Sequence, residues 1–374
     1  MDAGHIHIQA VEKAKDLLDF IKFDRLVYKD DPYWISPLVA ERKALLTRKN
    51  PFWEHSRKVL FLAKRGRKVV GKIEAAVDDN YIKFHQEECG FFGFFECLPD
   101  YEVAQRLLDT ARGWLKGQGM EIMRGPFNPS TNDECGFLLE GFDSPPFIMM
   151  THTRKYYLDF MERYGLRKAK DLFAYLAPVP ANPPEKLARL AEIARQKYPE
   201  VLIRPPDVKN FYEDVRKVKI VYNSSWTKNW GFVPWTTAEF DVLAKQLKPI
   251  LVPEIASFAE VDGKPVGFLI SLPDYNQVLK KLNGRMGPLE IIKFLLYKNK
   301  ITRMRLMAMG VCPEYRKRGI DALLTMESLK GAQLKGYKEC ECSWILEDNV
   351  LIQRLAEMMG GKIHKKYRIY ETKI

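Results

Sequence analysis

Residues 303–336 read RMRLMAMGVCPEYRKRGIDALLTMESLKGAQLKG, and the order of residue types in this stretch decides the fold. An apolar, strand-like run to Val311 meets Pro313. A basic turn of Arg316, Lys317 and Arg318 then closes on Gly319, and a run with Ile320, Leu323, Leu324 and Leu329 at helical spacing follows. Strand, turn and helix in that order form the unit of an α/β chain that packs helices on a sheet. The start of such a helix offers unbonded backbone N–H groups and a partial positive charge, and a glycine just ahead of it permits close approach of an anion. The pattern predicts a phosphate cradle ringed by three cations.

The surroundings of this stretch are echoed in the first half of the chain. Residues 59–78 (VLFLAKRGRKVVGKIEAAVD) and 256–274 (ASFAEVDGKPVGFLISLPD) each predict a hairpin, turning at Gly66 and at Asp262-Gly263. Val70-Gly71 and Val266-Gly267 open the second strands. Pro99-Asp100-Tyr101 and Pro313-Glu314-Tyr315 precede helix-like runs containing Leu107-Leu108 and Leu323-Leu324, Gly119 and Gly336 precede further strands, and Gly165 and Gly360 each stand between a helix and a closing strand. The same landmarks in the same order predict two related α/β units with mixed sheets. Compensating insertions fall at about Lys280–Lys300 and at the loop-rich Gly125–Pro146.

Pro178, Pro180, Pro183 and Pro184 mark the joint. The expected domains are 1–180, a linker helix within 181–200, and 201–374. Helices are expected at about Val11–Val27, Pro184–Lys197 and Val208–Tyr222.

Composition agrees with two folded cores: 374 residues, 46% hydrophobic and 12% aromatic, exclude a disordered chain. Sixty Lys and Arg against 48 Asp and Glu leave a net charge of +12, which attracts phosphate on nucleic acid, anionic lipid or a nucleotide cofactor. No helix-turn-helix, finger or RNA-recognition signature accompanies it, so nucleic acid is not the expected partner. The six cysteines are scattered and the six histidines form no ligand spacing, which predicts reduced thiols, no metal site and a cytoplasmic location. No run of eighteen apolar residues predicts a membrane span, and the opening residues lack the apolar core of a signal peptide.

The 303–336 stretch resembles the coenzyme A signature of the GNAT acyltransferase superfamily, in which strand, Val-x-Pro, Arg-x-x-Gly-x-Gly/Ala and helix hold the cofactor pyrophosphate. Val311, Pro313, Arg316 and Gly319 match, and Asp321 stands where a small residue is usual. Residues 339–371 (ECECSWILEDNVLIQRLAEMMGGKIHKKYRIYE) are similar to the superfamily's next conserved portion. Asn349 matches the asparagine that opens its helix, and Ala356 stands where many members carry a proton-donating tyrosine. The first half looks like the same fold without the cradle: its turn is two residues shorter and has Glu102 where the basic residues begin. Residues 125–157 are similar to bacterial tandem-GNAT proteins of unassigned substrate.

The resemblance implies two tandem GNAT-like domains and an acyl-CoA-dependent N-acyltransferase. Acetyl-CoA or another acyl-CoA would lie along Met309, Val311, Arg316, Lys317, Arg318, Gly319, Ile320 and Asp321, and the acceptor would be a small-molecule or peptide amine. Substrates would meet where Met307–Val311 and Cys342–Leu346 splay apart. Glu341, Glu347 and Asp348 are the acids nearest that place, Asn349 opens the following helix, and Tyr367 or Tyr370 would stand in for the missing tyrosine. Asn128, Ser130, Asn132 and Glu134 lie on a polar loop suited to an acceptor. Cys312 has no activating histidine nearby in sequence, and Trp226, Trp230 and Trp235 read as packing. Two other functions remain open: an aminoacyl-tRNA-dependent transferase of the Fem type, and a non-catalytic pair that binds acyl-CoA or a partner. Oligomeric state is open as well.

Overall fold

The computed structural model describes residues 4–374, which divide into two compact units. Unit 1 comprises residues up to Asp171, together with Leu279–Phe294 and Lys365–Ile374; unit 2 comprises Leu172–Val278 and Leu295–His364.

In unit 1 the chain begins with β1 (Ile6–Ala10), α1 (Ala14–Lys22), α2 (Asp24–Val27) and α3 (Val39–Leu45). The helix expected over Val11–Val27 is thus two short ones that meet at Phe23. Next come β2 (Ser56–Arg65), β3 (Lys68–Asp78), α4 (Asp79–His85), β4 (Cys89–Cys97), α5 (Tyr101–Gly117) and β5 (Ile122–Gly125). A small ribbon of β6 (Phe127–Asn128) and β7 (Glu134–Cys135) precedes β8 (Phe137–Glu140) and α6 (Tyr156–Tyr164). Strands β1 to β4 are successively antiparallel, and β5 joins β4 in parallel.

The chain then runs through β9 (Arg167–Pro178), α7 (Glu185–Lys197), β10 (Leu202–Arg204), α8 (Phe211–Ser225) and α9 (Thr237–Leu247). Helix α8 starts later than the expected Val208 because Asp207 Oδ1 accepts from the N–H groups of Lys209 and Asn210, closing a turn first. β11 (Ser257–Val261), β12 (Lys264–Pro273), α10 (Asn276–Leu282), α11 (Pro288–Tyr297) and β13 (Arg303–Val311) follow. α12 (Ile320–Leu334), β14 (Glu339–Leu346), α13 (Val350–Met358) and β15 (Lys362–Lys373) end the chain. In unit 2, β10 to β13 are antiparallel in order and β14 joins β13 in parallel, repeating the plan of unit 1.

Both expected hairpins form, β2–β3 and β11–β12; Asp262 (φ +50°) and Gly263 (φ +75°) make the second turn left-handed at both central residues. The repeated glycines have the same task. A Cβ on Gly71 would meet Leu107 Cδ1 at 2.7 Å, and one on Gly267 would meet Ile320 Cγ2 at 3.2 Å, so each lets the following long helix lie close on its sheet. Leu107, Leu108 and Ala111 of α5 and Leu323 and Leu324 of α12 are buried there.

The division of the chain is not the single cut expected near residues 180–200. The closing strands are exchanged: Leu172–Pro178 of β9 pairs antiparallel with β14 in unit 2, while Tyr370–Lys373 of β15 pairs antiparallel with β5 in unit 1. Tyr370 is accordingly buried in the core of unit 1 with Phe92, Phe137 and Tyr157. A strand's own alternation specifies which face is apolar but not which edge it joins.

Candidate acyl-CoA and proton-transfer site

The parallel pairing of β13 with β14 runs from Arg303/Glu339 to Leu306/Cys342 and stops, leaving Met307–Val311 and Ser343–Leu346 to diverge. Beyond Val311 a short turn at Pro313–Tyr315 leads to Lys317 (φ +63°) and Gly319 (φ +73°), two left-handed residues that curl the backbone just before α12. This places the first-turn N–H groups of α12 and its positive dipole end at the mouth of the divergence.

The basic side chains of the turn have separate tasks. Arg316 Nη2 donates to Ser225 O at 2.6 Å and its Nε donates to Val311 O at 3.3 Å, so this guanidinium ties α8 to β13. Arg318 lies over the Tyr315 ring at 4.7 Å. Lys317 is exposed and has no hydrogen-bond partner among the described residues, which leaves its ammonium open to an anionic ligand. Asp321, also exposed, sits in the first turn of α12. Gly319 does more than admit a ligand: a Cβ there would meet Ala194 Cβ of α7 at 2.8 Å. Ile320 is buried, Val311 is half-buried, and the Met309 carbonyl accepts from the Trp226 indole N–H at 3.2 Å.

Glu341 is fully buried on β14 and anchors a relay drawn from three segments. Its Oε1 accepts from Ser343 Oγ at 2.5 Å and its Oε2 accepts from His364 Nε2 at 2.7 Å. Arg305, buried on β13, donates from Nε to Ser343 Oγ and from Nη2 to Ser343 O, both at 3.0 Å. A buried carboxylate is tolerated here because the Ser343 hydroxyl and the His364 imidazole hydrogen-bond it, with Arg305 held against Ser343 behind them. His364 remains partly exposed, the arrangement of a ring oriented from behind by a carboxylate. Sequence reading named Glu341 but missed Arg305, Ser343 and His364; the alternation of Glu341 with Ser343 on one strand was the available signal.

The remaining expected residues lie elsewhere. Asn349 caps α13, its Oδ1 accepting from Ile352 N at 3.4 Å, and Glu347 O accepts from Gln353 Nε2 at 2.9 Å. Tyr367 is fully buried and, with Tyr370, belongs to unit 1, whereas the turn and the relay belong to unit 2. Asn128, Ser130, Asn132 and Glu134 are also in unit 1. Asn128 Oδ1 accepts from Phe94 N at 2.6 Å, Ser130 Oγ donates to Asp133 at 2.5 Å and accepts from Asn132 N at 3.1 Å, and Glu134 pairs with Arg42 at 2.6 Å. Cys312 is buried against Ser224, and burial raises its thiol pKa, which suits packing rather than nucleophilic attack.

Unit 1 has a polar cluster of its own that sequence reading did not single out. Lys72 pairs with Asp24, and Glu96 accepts from Tyr28 at 3.0 Å and Tyr157 at 2.6 Å. Glu74 is buried with neither carboxyl oxygen hydrogen-bonded, and burial pushes its pKa up to about 8. Aligned through Gly71 and Gly267, the unit 2 counterparts of Lys72, Glu74 and Glu96 are Phe268, Ile270 and Gly310, so the cluster is particular to unit 1. Among the described residues no group of His, Cys, Asp and Glu is disposed to hold a metal ion.

No family model matches the chain. Among curated proteins it is 35% identical over 367 residues to protein YghO of Escherichia coli, covering 96% of this chain and 93% of that one. It is equally 35% identical over 370 residues to the bacterial ceramide synthase of Caulobacter vibrioides, covering 96% of each. Among solved structures, a tandem GNAT protein from the clavulanic acid biosynthesis pathway superposes with a TM-score of 0.59 at 11% identity, over 99% of this chain and 98% of that one. A GCN5-related N-acetyltransferase from Sphaerobacter thermophilus gives 0.53 at 13% identity, over 98% and 95%. The shared fold explains the duplicated plan, the parallel divergence and the turn before α12, and the chain belongs to the family of protein YghO and the bacterial ceramide synthase, built on a tandem GNAT fold.

Proposed function

We propose that the protein is an acyl-CoA-dependent N-acyltransferase whose acceptor is a lipophilic amine. The observation that carries this reading is the full-length 35% identity to a bacterial ceramide synthase, since a ceramide is a long-chain amino alcohol acylated on nitrogen. The left-handed turn at Lys317 and Gly319 suits the pyrophosphate of coenzyme A, and the exposed Lys317 ammonium suits its charge. When bound, the cofactor supplies a thioester carbonyl. Val311 and Met309 line the pantetheine path, Lys317 and the first-turn amides of α12 hold the phosphates, and Arg316, Arg318, Gly319, Ile320 and Asp321 shape the turn.

An amine acceptor arrives as an ammonium and must lose a proton before it attacks. His364 takes that proton. Glu341 accepts from the Nε2–H, which directs the lone pair of the ring to Nδ1, while Ser343, itself bonded by Arg305, holds Glu341 in place.

The test is thiol release by the purified protein from long-chain acyl-CoA and from acetyl-CoA, with a long-chain amino alcohol or a polar amine as acceptor. Release that depends on the lipophilic amine is expected. No release with either amine, together with no calorimetric binding of coenzyme A, refutes the reading. Tight binding of tRNA that weakens steeply with salt would instead support the Fem-type function.

A further inference from the structure

Helix α11 is built inside out for a water-exposed helix. Glu290, Phe294 and Tyr297, spaced four and three residues apart, form its half-buried side, and Glu290 Oε2 accepts from Gly287 N at 3.2 Å to brace the first turn. The outward arc holds Leu289, Ile291, Ile292, Leu295 and Leu296. Their exposure is high: 70% for Leu289, 55% for Ile292 and 64% for Leu296, and no residue of the helix is buried. Met286, just ahead of the helix, is exposed too. A surface helix ordinarily turns its apolar arc inward, so a contiguous outward arc marks a surface meant to be covered.

Charge indicates what covers it. Arg285, Lys293, Lys298 and Lys300 are all exposed around the arc, and Glu290, its one acid, faces the half-buried side. A second copy of the chain meeting this face across a two-fold axis would bring like cations together. A bilayer with anionic headgroups satisfies both features, taking the apolar arc into the acyl boundary and the cations at phosphate level. The segment leading into the helix is tied within unit 1: Arg25 donates to Gly284 O at 3.4 Å and Lys280 donates to Pro32 O at 2.7 Å. No helix of the described residues is long and apolar enough to cross a membrane, so α11 would lie in the interface.

We propose that α11 is a monotopic docking element that seats this protein on an anionic membrane surface. The inference stands on exposure and charge and does not depend on the acyl-transfer reading. The experiment is co-sedimentation of the full-length protein with phosphatidylcholine vesicles and with vesicles containing phosphatidylglycerol, at low and high salt. The wild type is compared with Leu289→Gln/Ile292→Gln/Leu296→Gln and with Lys293→Glu/Lys298→Glu. All five positions are exposed, and circular dichroism and the unfolding midpoint confirm that each variant folds.

Wild-type binding to the anionic vesicles is expected, weakened by salt, with partition falling at least about tenfold in either variant. Three outcomes overturn the proposal: no sedimentation of the wild type with anionic vesicles, equal partition of wild type and both variants, or a wild-type dimer in light scattering that the apolar variant dissociates while vesicle binding is absent.

Discussion

Gly319→Ala tests whether the turn before α12 is built as described. The substitution places a Cβ at φ +73°, where a non-glycine residue costs roughly 1–2 kcal/mol. It also drives that atom to 2.8 Å from Ala194 Cβ on α7, well inside the ~3.5–4.0 Å at which carbon atoms attract, and overpacking of this kind costs roughly 1–3 kcal/mol. The expected loss is therefore about 2–5 kcal/mol, read from urea unfolding followed by tryptophan fluorescence.

Ala194→Gly separates the two causes. Alone it costs about 1 kcal/mol, because glycine is a poor helix residue. Combined with Gly319→Ala it removes the overlap and leaves the backbone strain, so the double variant should be more stable than the sum of the single effects by about 1–3 kcal/mol. Additive effects, or a Gly319→Ala protein within about 0.5 kcal/mol of wild type, would refute the packing of α7 against the turn. Since Gly319 and Arg316 both carry structural contacts, loss of cofactor binding on replacing them cannot separate binding from folding. Lys317 can.

Lys317→Ala should weaken coenzyme A binding by roughly three- to tenfold in calorimetry, about 1 kcal/mol, with the unfolding midpoint unchanged. His364→Asn should lower kcat by about 10²–10⁴ with little change in KM and no loss of fold, the signature of a lost proton acceptor. Glu341→Gln weakens the buried bonds from Ser343 and His364 to the carboxylate and should cost roughly 1–3 kcal/mol of stability as well as activity. For Glu74 the folded-state pKa is raised from 4.5 to about 8, so the folded chain binds more protons than the unfolded one between those values and stability declines as pH rises through that window. Glu74→Gln should flatten this decline, gaining up to roughly 4–5 kcal/mol relative to wild type above pH 8; pH-dependent denaturation that does not differ between the two proteins counts against it.

Much of the scaffold was legible because its signals are local. Alternating apolar residues around Gly66 and around Asp262-Gly263 specify the hairpins, and the paired glycines at 71 and 267 mark where each long helix must approach its sheet. Side-chain destinations were not local. Arg316 reads as a phosphate ligand until the carbonyls of Ser225 and Val311 are seen to accept from it. The relay at Glu341 draws on Arg305 and His364, which adjoin it only after β13, β14 and the start of β15 are in place. Lys72 and Glu74 did leave a trace, two charges at alternate positions within an otherwise apolar strand. Residues 280–300 were legible only as extra chain, because periodicity reports an apolar arc and not whether it turns inward.

The exchange of β9 and β15 has a bearing on how the polypeptide is made. Synthesis runs from the N-terminus, yet the segment that pairs with β5, Tyr370–Lys373 of β15, follows the whole of unit 2 in the chain. Throughout translation of everything between, the earlier unit presents an unsatisfied row of backbone groups along β5, the kind of open edge on which nascent chains stick to one another. Its closure waits until β15 has been made, and a gene split after β9 would give two products, each lacking a strand that the other carries.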